Sequence, residues 1–367
     1  MSKIAILGSG HGGCAAAVDL TARGFEVNLH IRRKNRADEI QSKGGLTGKG
    51  VQTGFFPIAK ITTDLREAID GVDLIMLVVP SVAHKYYAAA LAKTLDGKTP
   101  IFLNPGHTGG GLHFTHELRK NGYSGPLRTC ETVTLTYISR MQNATEVSIF
   151  SYTTNLGFAA FPGKHQNELF ELVSTIYPNI VKATNVLETG LSNINAIFHP
   201  PGMILNTGWI ERTKGDFFFY KEGITEGVGR AIDLIDSERI QICKALDIKA
   251  KPFIDIFFEA GLTTENARAT RSISIACEES EANALLRSPT SLDHRYIHED
   301  VGFGLTAFSA LAGLGKIKVP VIESFIQIAS SITEYDYSKI GLTLEKLGLN
   351  GVKLEKLHDF LEEGAKI

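Results

Sequence analysis

The sequence has little cysteine. Four residues among 367, Cys14, Cys130, Cys243 and Cys277, are widely scattered, and none forms a CxxC pair. This spacing argues against zinc ribbons and redox dithiols, so we expect no metal site. The cysteines are better explained as structural thiols, which indicates a reducing cytoplasm.

Long apolar runs and a charge of one sign are also absent. No run approaches the roughly 20 residues of a membrane-spanning helix, and the N-terminal Met1-Ser2-Lys3 lacks the layout of a signal peptide. The formal net charge is only −2, which gives no electrostatic basis for binding nucleic acid or a membrane surface. We therefore expect a cytoplasmic protein whose partners are small molecules.

Short apolar segments alternate with helical ones in the first half of the chain. The patterns predict strands at 3–8, 26–31, 73–79 and 100–103, and helices at 12–23, 82–95 and 112–121. Strands that alternate with helices indicate a parallel sheet joined by helical crossovers.

A glycine-rich loop follows the first predicted strand. Gly8-Ser9-Gly10-His11-Gly12-Gly13 matches G-x-G-x-x-G and opens a predicted helix, the context that makes this motif specific. Gly8 permits the tight turn, Gly10 lets the backbone approach a pyrophosphate, and Gly13 allows close packing of helix on strand. The pyrophosphate would lie on the free N–H groups of the helix N-terminus. The loop therefore predicts a dinucleotide site.

The end of the second predicted strand bears on the choice of cofactor. NAD enzymes usually carry Asp or Glu here, but this chain has Ile31 and then Arg32-Arg33-Lys34. An arginine can pair with a 2′-phosphate in bidentate fashion. We therefore predict that NADP(H) is preferred, with NAD(H) as the alternative; a solvated basic turn is the other interpretation of this run.

Further residues follow later strands, at the edge where open α/β sheets bind ligands. These positions predict cofactor contacts from Val79, Pro80, Asn104 and Gly106. Thr132 follows another possible strand and is expected to face the nicotinamide or the substrate.

From about residue 185 helical periodicity dominates. It predicts helices at 187–198, 203–213, 225–245, 319–334 and 342–347. We therefore predict an α/β fold with a Rossmann dinucleotide-binding domain over residues 1–185. An all-helical catalytic domain would span 186–367, with the ligand in the crevice between the two. The long helices 225–245 and 319–334 fit either a homodimer surface or core positions.

The best candidate for catalysis lies at the start of this second half. Asn195 and His199 are four positions apart, so a helix places them on one face. Pro200 and Pro201 follow at once, and we expect a break there between two helices that turns His199 toward a cleft. A satisfied core histidine is the alternative. The other histidines, among them His11, His84, His107, His294 and His298, are expected at the surface.

A second candidate is the charged and aromatic stretch 293–302. Arg295 offers a planar fork for a carboxylate, and Asp300 could orient a histidine and stabilise its cation. Five positions apart on a helix they point roughly 140° apart, so they would serve different parts of one site. A solvated helix face remains the alternative for this run.

At these residues the chain resembles the opine dehydrogenases, the NAD/NADP octopine/nopaline dehydrogenase family, over nearly its full length. The motifs that carry the resemblance are Gly8–Gly13, Val78-Val-Pro80, Asn104-Pro-Gly106, Asn193-x-Asn195-x-x-x-His199-Pro200, Tyr220-Lys-Glu222-Gly-Ile-Thr225, Asp236-x-Glu238-Arg239, Arg295-Tyr-x-x-Glu-Asp300 and Gly341-x-Thr343-Leu-Glu345-Lys-Leu-Gly348.

The resemblance implies a Rossmann domain followed by a helical domain like that of 6-phosphogluconate dehydrogenase. It implies a reductive condensation, in which an α-keto acid such as pyruvate joins the amino group of an amino acid and hydride from NAD(P)H reduces the imine. His199 would then be the acid/base that polarises the keto group, Asp300 its dyad partner, and Arg295 the holder of a carboxylate. The basic turn Arg32-Arg33-Lys34 departs from family members with an acidic residue there, which puts NAD use in doubt.

Two other functions stay open at this point. A ketopantoate reductase or glycerol-3-phosphate dehydrogenase shares the architecture but relies on a lysine in the first helix after the boundary, and 187–198 contains none. A protein that senses NADP(H) without turnover is an alternative of another class.

Overall fold

The computed structural model describes residues 2–365, which divide into two compact units. The first unit comprises 2–106, 110–186 and 358–365, and the second comprises 107–109 and 187–357. The expected division into 1–185 and 186–367 therefore needs two corrections. The C-terminal residues join the first unit because Phe360 packs on Phe161, with ring centroids 5.6 Å apart. Residues 107–109 join the second, where Asn193 Nδ2 donates to Thr108 Oγ1 over 3.1 Å.

The first unit contains both sheets of the protein's described part and the helices that flank them. Its strands are β1 (Lys3–Leu7), β2 (Glu26–His30), β3 (Gly45–Gly50), β4 (Gly54–Pro57), β5 (Lys60–Thr62), β6 (Leu74–Leu77), β7 (Ile101–Leu103), β8 (Thr129–Thr132), β9 (Tyr137–Asn143), β10 (Glu146–Tyr152), β11 (Leu156–Phe161) and β12 (Ile180–Lys182). Its helices are α1 (His11–Ala22), α2 (Lys34–Lys43), α3 (Leu65–Ile69), α4 (His84–Leu91), α5 (Gly110–Lys120) and α6 (Gln166–Ile176).

The larger sheet has eight strands in the order β12-β11-β8-β7-β6-β1-β2-β5. Neighbouring strands are parallel except for the antiparallel pair β8 and β11. The central strands β1 and β6 are buried along nearly their whole length, as expected for parallel strands covered on both faces. In this sheet the loops after Leu7 and Leu77 meet at one edge, because these residues are register partners.

A second, four-stranded sheet in the order β4-β3-β10-β9 was not predicted. Strand β3 reads Gly-Leu-Thr-Gly-Lys-Gly, in which half of the residues are glycine and Thr47 is the one β-branched residue, so it gives little strand signal. Its glycines serve packing instead: a Cβ at Gly45 would overlap the carbonyl oxygen of Phe56 on β4. Close backbone approach of this kind leaves no periodic pattern in the sequence.

The second unit is helical, as predicted, and the α/β fold class is confirmed. Its helices are α7 (Val186–Leu191), α8 (Asn195–Ile204), α9 (Thr207–Thr213), α10 (Glu226–Ala245), α11 (Phe253–Glu259), α12 (Glu265–Thr270), α13 (Ile273–Glu278), α14 (Arg295–Asp300), α15 (Thr306–Leu314), α16 (Pro320–Thr333) and α17 (Tyr337–Ile340). Helix α18 (Leu357–Glu363) returns the chain to the first unit. The predicted helix at 342–347 is wrong, since these residues form turns that follow α17.

A buried ion pair organises the centre of the second unit. Arg239 is fully buried on α10 and donates from Nε and Nη2 to Asp236 Oδ1, at 2.8 and 2.7 Å. Its Nη1 donates to the carbonyl of Leu191, where α7 ends. Asp236 in turn accepts from the backbone N–H of Phe253 at the start of α11. The Asp236-x-Glu238-Arg239 motif therefore has a structural role, because it holds the ends of neighbouring helices in place.

Within residues 2–365, no helix is long and apolar enough to cross a membrane. The same residues contain no group of three or more His, Cys, Asp or Glu side chains that could hold a metal ion.

Candidate active site

The glycine loop of the first unit has the geometry of a phosphate cradle. Gly8 adopts φ +125°, a conformation that side chains rarely tolerate, and a Cβ there would overlap the carbonyl oxygen of Val78. A Cβ at Gly10 would meet nothing within 4 Å, so this backbone faces open space at the N-terminus of α1. A phosphate could approach these N–H groups closely.

The remaining glycines of the loop serve packing. A Cβ at Gly13 would overlap the carbonyl oxygen of Gly8, so glycine is needed for α1 to lie this close to β1. A Cβ at Gly12 would lie 2.7 Å from Leu135 Cδ1. His11 accepts a hydrogen bond at Nδ1 from the backbone N–H of Met141, at 2.8 Å, so its side chain anchors β9.

A cavity of about 360 Å³ joins this loop to the basic turn. It is lined by Gly8, Ser9, Gly10, Arg32, Arg33, Asn35, Arg36, Glu39, Val79, Pro80, Ala83 and Tyr87. Arg32 lies over the ring of Tyr86, 5.1 Å from its centroid, which holds the guanidinium at the cavity. Lys34, in the same basic run, does not line it. The cavity thus combines an open backbone cradle with three arginines, which fits a dinucleotide.

Two expected cofactor residues, Asn104 and Gly106, have structural contacts instead. Asn104 is fully buried, donates from Nδ2 to Thr136 Oγ1 at 2.8 Å and accepts from the N–H of Thr136 at 3.1 Å. A Cβ at Gly106 would overlap the carboxylate of Glu131. These residues therefore shape the carboxyl edge of the sheet from within.

Thr132 lies at the end of β8 and is fully buried. Its hydroxyl has no hydrogen-bond partner among the described residues, so it is able to bond to a ligand.

The second unit brings His199 and Asp300 together, although they are 101 positions apart in the chain. His199 Nδ1 lies 2.8 Å from Asp300 Oδ2. Both side chains are buried, with 5% and 2% of their surface exposed. His199 lies on α8 and Asp300 ends α14, and a π-helical turn, Val301–Leu305, follows Asp300 directly. Turns of this kind are frequent at functional sites.

The expected helix break at Pro200-Pro201 is wrong. Both prolines lie inside α8, as its sixth and seventh residues, and the helix continues to Ile204 although each proline removes one i→i−4 hydrogen bond. The break lies earlier, between α7 and α8, where Asn193 Oδ1 accepts from the N–H of Asn195 at 3.2 Å. Asn195 is therefore the first residue of α8, one turn before His199, and is partly exposed.

Arg295 lies on α14 with its side chain half exposed, and Glu299 holds its orientation. Nε of Arg295 donates to Glu299 Oε2 at 3.1 Å, and Nη2 lies 3.0 Å from the same oxygen. The other oxygen of Glu299 lies 3.4 Å from His107 Nε2. Burial lowers the pKa of His107, against the opposing charge of Glu299.

Several histidines that were expected at the surface are not there. His84 is fully buried and His107 nearly so. His294 is partly buried and accepts from the N–H of Tyr296 at 3.2 Å, which caps the N-terminus of α14. Burial, with the nearby charges of His199 and Arg295, lowers the pKa of His294 to about 4.

Sequence reasoning missed two tyrosines against the imidazole. Tyr220 Oη lies 3.2 Å from His199 Nε2. The ring of Tyr296 stacks on the imidazole, with centroids 3.6 Å apart and planes 9° from parallel. Both lie within motifs that the resemblance identified, Tyr220-Lys-Glu222 and Arg295-Tyr, but nothing in their spacing indicates contact with His199.

Both units of the chain are similar to known protein families. Residues 182–333 match the family described as NAD/NADP octopine/nopaline dehydrogenase, alpha-helical domain, and residues 3–117 match the NAD-dependent glycerol-3-phosphate dehydrogenase N-terminus. An opine dehydrogenase of Arthrobacter sp. (strain 1C) is 32% identical over 359 residues, 98% of either chain.

Solved structures share the fold at lower identity. An octopine dehydrogenase with NADH and L-arginine has a TM-score of 0.79 at 18% identity, covering 100% of this chain and 99% of its own. A yersinopine dehydrogenase with NADP+ has a TM-score of 0.72 at 14% identity, covering 99% and 98%. Since the full-length likeness includes a relative above 30% identity, the chain belongs to the octopine/nopaline family of opine dehydrogenases and is an NAD(P)-dependent oxidoreductase that acts on CH–NH groups.

Proposed function

We propose that this enzyme condenses an α-keto acid, such as pyruvate, with the amino group of an amino acid, and that the resulting imine is reduced. The observation that carries the proposal is the buried pair His199–Asp300 in the helical unit. Carbonyl addition and loss of water both need a proton donor at the substrate oxygen, and a histidine held by a carboxylate supplies one. The bound cofactor supplies the hydride.

Each nearby side chain has a role in this proposal. Asp300 holds the imidazole by Nδ1 and stabilises its cation. Arg295 binds a substrate carboxylate through the part of its guanidinium that Glu299 leaves available, and the Glu299 contacts fix its plane. Asn195, one turn before His199, is a further candidate for a polar contact with the substrate. In the first unit, the buried hydroxyl of Thr132 is a candidate for a contact with the bound cofactor.

A substrate panel tests the function. Wild-type enzyme is assayed with pyruvate and other α-keto acids against a set of amino acids and amines, following oxidation of the reduced cofactor. His199→Ala is expected to lose most of its turnover and to retain cofactor binding. His298→Gln is a matched control, because His298 also lies beside a carboxylate, Asp293, and a tyrosine, Tyr337. Silence of the wild-type enzyme across the panel, with intact NADPH binding, would favour a sensor instead.

We also propose that NADP(H) is preferred over NAD(H). Arg32, Arg33 and Arg36 line the cavity beside the glycine loop, and the only carboxylate in its lining is Glu39. A guanidinium pairs with a 2′-phosphate through charge-assisted hydrogen bonds, each contributing about 1.5–3 kcal/mol.

Paired variants test the cofactor preference. Arg33→Gln is expected to raise the KM for NADPH roughly 10-fold or more, as one such contact implies, with little change for NADH. Lys34→Gln removes a neighbouring charge outside the cavity and should leave both KM values unchanged. Equal or better wild-type efficiency with NADH would refute the preference.

The cysteines bear on the cellular compartment of the protein. A reducing compartment such as the cytoplasm suits the four cysteines, which are all free and buried. Burial raises the pKa of Cys14 to about 11, so its thiol is poorly reactive.

The oligomeric state that we propose is a homodimer, which would cover the exposed Leu234 on α10 and Ile328 on α16. Size-exclusion chromatography with light scattering measures the mass in solution and tests this proposal.

A further inference from the structure

Both nitrogens of the His199 imidazole have partners within the second unit. Nδ1 lies 2.8 Å from Asp300 Oδ2, and Nε2 lies 3.2 Å from Tyr220 Oη. The three side chains thus form a line that runs carboxylate, imidazole, phenol. The hydroxyl of Tyr220 thus occupies the hydrogen-bonding position at Nε2, the ring nitrogen that Asp300 leaves available.

The carboxylate fixes the direction of the hydrogen bonds along this line. An ionised Asp300 only accepts, so Nδ1 of His199 carries a hydrogen and donates it. When the imidazole is neutral, Nε2 has a lone pair and accepts from the hydroxyl of Tyr220. When the imidazole is protonated, Nε2–H donates to the Tyr220 oxygen, and the hydroxyl hydrogen is released toward another acceptor.

The surroundings hold Tyr220 in this position. Its ring stacks on Phe198, with centroids 4.9 Å apart, and Phe198 stacks on Phe253 at 5.6 Å. The following turn is tied down by Asn206, whose Nδ2 donates to the carbonyl of Gly223 at 2.8 Å. Burial raises the pKa of Tyr220 well above its ordinary value, so the phenol stays protonated and able to donate.

The imidazole is equally restrained. Tyr296 covers one face of the ring at 3.6 Å, and only 5% of the His199 side chain is exposed. Direct contact between Nε2 and substrate would require the Tyr220 hydroxyl to leave. The packed aromatic rings oppose that movement.

We propose that Tyr220 is a catalytic residue that passes the proton between His199 and the substrate oxygen. The proposal rests on the proposed function of the His199–Asp300 pair. As the carbinolamine formed from keto acid and amine loses water, its C–O bond breaks, the nitrogen lone pair forms the C=N bond, and the Tyr220 O–H proton joins the departing hydroxyl. The proton on His199 Nε2 moves to the Tyr220 oxygen at the same time, so that tyrosine is regenerated and the imidazole becomes neutral. No electrons are exchanged in this step.

Tyr220→Phe tests the relay, because it keeps the ring that packs on Phe198 and removes only the hydroxyl. We expect kcat to fall about 100-fold, within the range of general acid–base contributions, with KM values changed less than about threefold. NADPH affinity and the melting temperature should stay at wild-type values. Tyr337→Phe is the matched control, since it removes a buried tyrosine hydroxyl 2.6 Å from His298 Nδ1, and its kcat should stay at the wild-type value.

An unchanged or higher kcat in Tyr220→Phe is the outcome that contradicts the relay. If Tyr220 only covers His199, its removal frees Nε2 for substrate, and kcat of Tyr220→Phe would be unchanged or higher, which overturns the relay. A proton inventory in mixtures of H₂O and D₂O gives a second readout: the relay predicts a curved plot for wild type, with two protons in flight, and a linear plot overturns it.

Failure of the relay can be told apart from failure of the proposed function. Turnover by wild type and its loss in His199→Ala establish the function independently of Tyr220. Should Tyr220→Phe not fold, 3,5-difluorotyrosine at position 220 keeps the shape of the ring and lowers the pKa of the phenol. A kcat insensitive to that replacement would likewise overturn the relay.

Discussion

Replacement of Asp300 by asparagine isolates the charge that faces His199. The side chain keeps its size, and Nδ1 of the imidazole still meets a hydrogen-bonding group where the carboxylate oxygen lies 2.8 Å away. The variant loses the negative charge that stabilises the imidazolium. It also presents an amide that can donate as well as accept, so the side chain no longer fixes which ring nitrogen carries the hydrogen in the neutral state.

The magnitude follows from the distance and the burial. With the charges of both groups delocalised, their centres lie about 4 Å apart, and Coulomb's law at an effective dielectric constant of 20 gives about 4 kcal/mol. A loss of 4 kcal/mol in the transition state corresponds to a fall of about 10³-fold in kcat. An effective dielectric constant of 20, well below that of water, applies because both side chains are almost fully buried. Water and salt therefore screen the pair little.

The assay is steady-state turnover with the best keto acid and amine of the panel, beside NADPH binding by fluorescence. Asp300→Asn should retain cofactor affinity while kcat falls. Asp293→Asn is the matched control, because Asp293 also lies beside a histidine, 3.0 Å from His298 Nε2, but its side chain is 92% exposed. That variant should stay within about twofold of wild type, as solvent-screened pairs contribute little. A kcat of Asp300→Asn within tenfold of wild type would refute the assignment of the dyad.

Three further predictions concern the framework of the site. Arg239→Met leaves the charge of Asp236 without its partner in the core. The free energy of unfolding should fall by about 3–5 kcal/mol in urea titration, and a loss below 1 kcal/mol would contradict the structural role of this buried ion pair. Gly13→Ala places a Cβ onto the carbonyl oxygen of Gly8, so the melting temperature should fall and NADPH binding weaken, and wild-type values of both would contradict the packing. Because the pKa of His294 is lowered from 6.5 to about 4, the unfolded chain binds a proton there before the folded chain does, and stability falls as the pH drops from 6.5 toward 4. His294→Asn keeps an N-cap acceptor without titrating, so its unfolding free energy should depend less on pH across this window, whereas equal pH dependence in both proteins would exclude His294 as the cause.

Much of the nucleotide unit could be predicted because its signals are local. Each of its main parts is recognised from a short run of consecutive residues. These parts are the glycine loop, the buried strands β1 and β6, and the basic turn. The second sheet could not be predicted, since β3 owes its place to close backbone contacts at glycine rather than to a periodic pattern. The prolines of α8 misled because the preferences of proline and of the residue before it are statistical, and both prolines lie inside this helix.

The sequence by itself determined the glycine loop, the arginines beside it, and the residue types from which an acid–base site can be made. Only the tertiary structure decided how those types combine. His199 lies 101 positions from Asp300 and 21 from Tyr220, so their hydrogen bonds depend on how α8, α14 and the turn before α10 pack together. Periodicity records which face of an element is apolar, but it does not record which partner that face meets. The line of Asp300, His199 and Tyr220 therefore appears only once the helices are packed.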